Sequence, residues 1–407
     1  MKRILLLMPG NTYRAKAFID AAKKLKIDLI IGSDQEQTLT SLLPNKYITL
    51  NFHKIKISSE QIYSFNNKTK INKIIAVDDQ GLLLASAASK KIGLQSNSFF
   101  SMNLTRNKYL LNKHIQKNKQ SPYNFLLHNK NNKLRSLKIN YPVVIKPLGL
   151  SASRGVMRAN NEHDLKNKVS LLFNLLENEF SNECVSEYEA ENILIQEYIP
   201  GKEYAVEGII EKGQFKLIAI FEKPIPLTGP YFEETIYISD PNFDQETKNS
   251  IISISQNHIE SIGISEGAVH LEYRINKKGT HLIDIAGRSI GGHCSQVLQF
   301  NDDVLLEEII LNNAIGKKNA ACIEKISGVM MIPTTKEGKI SKIKGLESAK
   351  KIKYITNIEM TAFKGQEIKK LPKANTYLGF IFAVGPNKRV VQRALQRSYR
   401  CIQINLF

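Results

Sequence analysis

Short apolar runs alternate with segments in which apolar residues recur every three or four positions, and this alternation opens the chain. Residues 4–8 form the first run, helical spacing follows over 15–24, further runs occupy 29–31 and 74–77, and helical spacing returns over 80–92. Strand-length runs separated by helical patterns predict an α/β unit with a parallel sheet. Ligands of such sheets gather at the carboxyl ends of the strands, here residues 9–14 together with Asp78 and Asp79. No GxGxxG follows the first run, so a dinucleotide fingerprint is absent.

From about residue 103 the pattern changes. A polar, basic helical stretch carrying Lys108 leads to a strand over 141–147 and a Gly/Ser-rich turn. Helical spacing over 162–176 precedes strands over 193–198, 205–210 and 215–221, and a helix over 248–262 precedes a hairpin of 268–276 and 280–286 that turns through 277–279. After about residue 323 short strands, 328–332 and 378–384, are mixed with a final amphipathic helix from Pro386. That helix carries Val390, Val391, Ala394 and Leu395 on one side and Arg389, Arg393, Arg397 and Arg400 elsewhere, the spacing of a helix docked on a protein body. The Asn/Lys-rich residues 129–133 read as a surface loop, and no internal repeat is present.

Composition narrows the class. At 407 residues and 42% hydrophobic content the chain is expected to fold as two to four compact units. No stretch approaches a membrane span, and the opening apolar run is short and lacks a cleavage site, so the expectation is a cytoplasmic protein without membrane contact. Cys184, Cys294, Cys322 and Cys401 are scattered without metal or redox spacing, which fits a reducing compartment. The net charge of +19 raises nucleic acid as a partner, but the lysines are interleaved with Asn and Ile along the whole chain. A solvated surface therefore explains the charge better than a basic stripe, and no nucleic-acid partner is expected.

Three constellations carry chemistry. The strand ending in Lys146, followed by a turn from Gly149 to Gly155, can set one ammonium and several N–H groups around phosphate oxygens, although a strand and a glycine turn are also common structure. The run from Ile193 to Glu203 can offer backbone at Tyr198 and Ile199 to an adenine edge and the Glu203 carboxylate to ribose hydroxyls; its bland reading is a strand ending at Pro200 and Gly201. In the hairpin, a turn through 277–279 sets Glu272 opposite Asp284 on one face, with Ile283 and Ile285 on the other. Two facing carboxylates inside apolar strands repel and call for a cation, and hard oxygen ligands suit Mg²⁺. The rival is an exposed edge beside Lys277 and Lys278. Arg288, extending the face of Asp284, can neutralise a transferring phosphate or an oxyanion, and the glycines at 287, 291 and 292 allow close backbone approach. His270, His293 and Cys294 read as packing or pocket-lining groups.

In this order the motifs resemble the ATP-grasp superfamily, and more closely its L-amino-acid ligase branch. The resemblance runs through LLLMPGNTYRAKAF, RNKYLL, VVIKPLG, SASRGV, IQEYIPGKEYAVEG, KPIPLTGPYFEET, HLEYRI, IDIAGRSIGG, GVMMIP and YLGFIFA. It implies an α/β chain: an N-terminal Rossmann-like pre-ATP-grasp domain (1–102), a two-lobed ATP-grasp fold (103–322, with the small lobe at about 140–205) and a small α+β C-terminal domain (323–407). It further implies that Lys108 and Lys146 contact ATP phosphates and that Ser151, Ser153, Arg154 and Gly155 belong to a loop closing over them. Gln196, Glu197, Tyr198 and Ile199 become the adenine hinge, Glu203 the ribose ligand, Glu272 and Asp284 the metal ligands, and Arg288 the catalytic residue. Gly291 and Gly292 shape the carboxylate site, with Glu233 and Glu234 toward the substrate.

The cofactors so implied are ATP and Mg²⁺ or Mn²⁺. The partners are a small carboxylate and an amine, expected to be amino acids, with a homodimer as the candidate assembly. Two positions depart from the superfamily pattern: Asp284 stands where Glu is usual, and Ala286 where many members carry a metal-binding Asn. Small residues at the second position also occur in the amino-acid ligase branch. The expected reaction is amide formation through an acyl phosphate. Carboxyphosphate chemistry as in purine synthesis and a non-catalytic nucleotide-binding protein are the alternatives.

Overall fold

The structure is a computed structural model, describing residues 2–10, 12, 14–35, 46–134, 139–181, 186–318, 320–373 and 377–407. Cys184 lies outside them. The first apolar runs become the strands Arg3–Leu7, Asp28–Ser33 and Lys73–Ala76, which with Tyr47–Thr49 form a four-stranded parallel sheet. Both faces of its central strand are covered, Ile4 and Leu6 packing on one side and Leu5 and Leu7 on the other, which is why that strand is apolar without alternation. The parallel sheet expected from the alternation is present, and its carboxyl ends carry Arg14, Asp78 and Asp79 to one rim.

A second sheet is antiparallel, ordered Phe125–Asn129, Asn192–Glu197, Val143–Pro147 and Met157–Ala159. The helix Glu162–Asn178 buries Leu165, Leu172 and Leu175 against it. Among the described residues the largest sheet has eight strands, all antiparallel: Gly279–Ala286, Glu266–Asn276, Lys202–Glu211, Gln214–Lys223, Ile236–Ser239, Ser327–Met331, Gly379–Val384 and Ile355–Met360. Ala205 and Ile209 face the core shared with the N-terminal unit, while Val206 and Ile210 face the helix Gln245–Ile262. Strands from either side of residue 323 are thus neighbours in one sheet. The final helix, Lys388–Cys401, docks through Val391, Ala394 and Leu395 and leaves Arg389, Arg393, Arg397 and Arg400 exposed. No helix among the described residues is long and apolar enough to cross a membrane.

The hairpin reaches the expected pairing of Glu272 with Asp284 by an unexpected route. The turn holds two residues rather than three, so Asn276 pairs with Gly279, and a bulge between Glu272 and Tyr273 restores the offset. Ile283 is the extra residue; both it and Ile285, expected on the face away from Asp284, border the same cleft, Ile285 also packing into the core.

Candidate active site

A cleft of about 530 Å³ lies where the three sheets meet. Lys146 ends its strand there, 7% exposed, and donates to Gln196 Oε1 at 3.0 Å; Gln196 in turn donates to Asn112 Oδ1 at 2.7 Å. Burial lowers the Lys146 ammonium to about 8, with the Asp284 carboxylate opposing the shift. Lys108 opens the helix Lys108–Lys117, whose N-cap Asn107 accepts from the N–H groups of Tyr109 and Leu110. From that fixed start its Nζ reaches Asp284 Oδ2 at 3.0 Å and the Leu150 carbonyl at 2.9 Å.

The turn after Lys146 holds two non-glycine residues, Ala152 (φ 56°) and Ser153 (φ 53°), in the left-handed region. Ser151, Ser153 and Arg154 line the cleft, and the Arg154 guanidinium lies over the Phe180 ring at 5.7 Å. Gly155 does not line it. A Cβ there would lie 2.8 Å from the Leu172 side chain, so this glycine lets the turn pack on the helix behind it.

Gln196, Glu197, Tyr198 and Ile199 all border the cleft, but their side chains are committed elsewhere. The Glu197 carboxylate accepts from Asn124 (3.0 and 3.1 Å) and from Asn140 Nδ2 (2.9 Å). The Tyr198 ring is flanked by Arg158 at 4.6 Å and Arg274 at 4.9 Å. What this segment offers a ligand is therefore mainly backbone.

Behind the cleft wall formed by Glu203, Glu234 and Glu272 lies a buried ammonium with no role legible in the sequence. Lys223, its side chain 2% exposed, donates to Glu203 Oε1 (2.8 Å), Glu234 Oε1 (2.8 Å) and Glu272 Oε1 (3.1 Å). These three carboxylates form a cluster tight enough for a metal ion, and the lysine occupies its middle. Burial alone would depress the Lys223 pKa, yet the three acids hold it well above the ordinary value. Glu203, expected to meet ribose, has its second oxygen engaged by Arg274 Nε at 2.7 Å. The available signal was positional: Lys223 is the last residue of its strand, and Lys146 the last but one of its own.

Arg288 donates through Nη2 to Asp79 Oδ2 at 2.6 Å, tying the hairpin's exit to the parallel sheet. Burial would discharge the guanidinium; Asp79 and Asp78 hold it firmly charged. Its Nε and Asp79 Oδ1 are buried without a partner among the described residues. His270 Nδ1 lies 2.5 Å from Glu207 Oε1, and the other Glu207 oxygen accepts the Ile290 N–H at 2.9 Å. Burial disfavours the imidazolium, but Glu207 and Glu272 more than offset it and raise His270 to about 9. Gly291, Gly292 and Cys294 line the cleft beside them; His293 instead meets Glu359 at 2.9 Å.

A cleft between an antiparallel small lobe and a larger antiparallel sheet, lined by Lys108, Lys146 and the facing carboxylates Glu272 and Asp284, is the ATP-grasp arrangement. The sequence agrees: residues 139–297 match the ATP-grasp domain, and residues 330–406 match the L-amino acid ligase C-terminal domain 2. The chain therefore contains an ATP-grasp domain over residues 139–297 and an L-amino acid ligase C-terminal domain 2 over residues 330–406, the two units its motifs resembled. It is 26% identical over 256 residues to dapdiamide A synthase of Enterobacter agglomerans, covering 61% of this chain and 55% of that protein. The chain spans about half the length of the curated relatives it matches. The fold superposes on L-amino acid ligase from Bacillus licheniformis with a TM-score of 0.85 at 19% identity, covering 100% of this chain and 99% of that one. On N5-carboxyaminoimidazole ribonucleotide synthetase from Thermotoga maritima the TM-score is 0.71 at 15% identity, each chain covered fully (100%).

Proposed function

We propose that the protein is a cytoplasmic, ATP-dependent carboxylate–amine ligase that joins two small amino acids through an acyl phosphate. The observation that carries this reading is the convergence of Lys108, Lys146 and Arg288 with Glu272 and Asp284 in one cleft, with Lys223 buried behind Glu272. A substrate bringing a triphosphate and a carboxylate together needs such a density of cations, with hard oxygen donors among them.

Glu272 and Asp284, paired across the hairpin, present carboxylate oxygens next to the lysines and so fit a hard divalent cation, Mg²⁺ or Mn²⁺; Ala286 supplies no ligand atom. Such a cation, when bound, shields the charge between the two anions. Lys108 exchanges its carboxylate partner for phosphate oxygens as the nucleotide enters, while Gln196 keeps Lys146 aimed and Lys223 holds Glu272 in place. A substrate carboxylate oxygen then attacks the γ-phosphorus, the O–P bond to ADP breaks, and an acyl phosphate forms. The amine nitrogen attacks the acyl carbon, gives up a proton, and expels inorganic phosphate. Arg288 stabilises the oxyanion of that step, and Asp79 keeps the guanidinium in place. The turn from Ser151 to Arg154 acts as the cover that delays water.

The test is ATP- and Mg²⁺-dependent phosphate release with single and paired amino acids, against bicarbonate and no-substrate controls. Release is expected to need two amino acids and to fall about 10²- to 10³-fold in Arg288→Ala, the loss typical of one oxyanion donor. Release driven by bicarbonate alone would move the chain to carboxyphosphate chemistry. ATP binding without release under any condition would point to a non-catalytic role.

A further inference from the structure

Arginine is scarce in this chain and sits where its planar fork has something to grip. Twelve of the 57 Lys and Arg side chains are arginine. Among the described residues, Arg3, Arg14, Arg106, Arg274 and Arg288 each bond a carboxylate, and Arg154 and Arg158 bond backbone carbonyls. Four of the twelve lie within the 14 residues of the final helix, Lys388–Cys401. Arg389, Arg393, Arg397 and Arg400 are exposed, and none has a side-chain partner among the described residues. The helix's own lysine, Lys388, is by contrast held by Glu222 at 2.8 Å.

The four arginines share one helix face with Gln392 and Gln396, at positions three and four apart that run for roughly 16 Å along the axis. Like charges at this spacing repel, and the helix contains no acidic residue to offset them. Lys344 pairs across to Gln403, and Gly345 lies against the Cys401 carbonyl, so a further exposed cation adjoins the last turn. Part of the charge that looks dispersed along the sequence is thus gathered on one surface.

The chemistry of that surface selects among polyanions. Val391, Ala394 and Leu395, the apolar side of the helix, are buried in the core of the C-terminal region, so the helix has nothing to insert among lipid chains. Its outer face also lacks the apolar or aromatic anchor that the centre of a protein–protein interface needs. Guanidinium and amide groups without such an anchor match phosphodiester oxygens, whose interfaces are polar and strongly cationic. We propose that the outer face of Lys388–Cys401 binds the phosphate backbone of a nucleic acid, without regard to base sequence. The inference is independent of the ligase reading, because no residue of this helix lines the cleft.

The test is fluorescence polarisation of a labelled single-stranded RNA and a labelled DNA duplex, each about 20 nucleotides long, titrated with the full chain from about 50 to 200 mM salt. Each phosphate contact steepens the fall of log affinity with log salt by about 0.7 to 0.9. Arg389→Gln, Arg393→Gln, Arg397→Gln and Arg400→Gln together should therefore make the slope shallower by about three and weaken binding at the upper salt by at least about tenfold. A control removes the same charge elsewhere, at the exposed Lys23, Lys54, Lys56 and Lys117, each replaced by Gln, and should change the slope by less than about one. The unfolding midpoint and ATP-dependent phosphate release should be the same in both variants as in the unmodified protein, since the replaced side chains face solvent. Binding of RNA alone or of the duplex alone supports the inference and names the kind of nucleic acid. No binding of either at about 50 mM salt would overturn it, as would equal losses in the two variants, which would reduce the effect to net charge. Poly-glutamate or anionic vesicles held through the four arginines more tightly than either nucleic acid would also overturn it. None of these outcomes touches the ligase reading, which phosphate release decides separately.

Discussion

Lys146 and Lys223 show how the same side chain acquires opposite properties from its neighbours. Both are buried near strand ends, but Lys223 is enclosed by three carboxylates and stays charged, whereas Lys146 faces the neutral Gln196 amide and is lowered to about 8 by burial. The second value has a consequence for nucleotide binding. ATP binds the protonated ammonium better, so affinity should be level from pH 7.5 to about 8 and then weaken, approaching tenfold per pH unit, as the free protein loses that proton. Lys146→Arg should flatten the profile, since a guanidinium does not titrate in this range. The dissociation constant of ATP measured across pH 7.5 to 10 checks this, and a level profile for the unmodified protein would contradict it. At this scale the facing acids Glu272 and Asp284 were legible because like charges in apolar strands are an anomaly that asks for a cation. Lys223 and Arg274 gained no role because each is defined by partners on other segments of the chain: Lys223 meets Glu203, Glu234 and Glu272, and Arg274 meets Glu203 and Ile199.

The hairpin and the turn at Gly201 belong to the scale of elements. Gly201 has φ 139°, and a Cβ there would lie 2.5 Å from the Ile275 carbonyl oxygen, so the chain can pass from the hinge segment to the Lys202–Glu211 strand only with glycine at this point. Gly201→Ala should lower stability by about 1–3 kcal/mol through backbone strain, read as a shift in the urea midpoint at unchanged slope. An unchanged midpoint would mean that the turn relaxes at no cost. The hairpin's two strands were legible from their apolar runs, but its bulge was not. Pairing Asn276 with Gly279 shortens the turn by a residue, and only the bulge at Ile283 returns Glu272 to Asp284. That choice is made by neighbouring strands, since Glu272 also pairs with Ala205 on its other side.

For the molecule as a whole, the eight-stranded sheet matters more than the division of the chain near residue 323. The strand Ile236–Ser239 pairs with Ser327–Met331, and Ile236, Tyr237 and Ile238 are each at most 2% exposed. Removing residues 323–407 would open a long strand edge and strip the apolar cover supplied by the final helix. The shortened chain is expected to be insoluble, or to lose its cooperative unfolding transition and its ATP binding. Soluble yield, circular dichroism and ATP titration decide the point, and a soluble, ATP-binding 1–322 fragment would show that the tail is an independent unit. The same continuity brings Met331, Tyr377 and Phe380 from the tail into the cleft, so the cleft is completed by residues distant in sequence from Lys108 and Lys146.

Local and periodic features of this chain were dictated by its sequence: the parallel strands, the amphipathic final helix, the hairpin with its facing acids, and the strand-end Lys146. Each depends on residues within a few positions of one another, where periodicity and charge repulsion act directly. Tertiary structure alone decided the rest. It set Lys223 among three carboxylates from two other strands and a connecting segment, placed Asp79 against Arg288 and Arg14 against Glu307, and turned Gly155 away from the cleft while bringing Ile283 into it. These contacts join residues as many as 293 positions apart, and each is selected by burial and pairing across the assembled sheets rather than by any local preference.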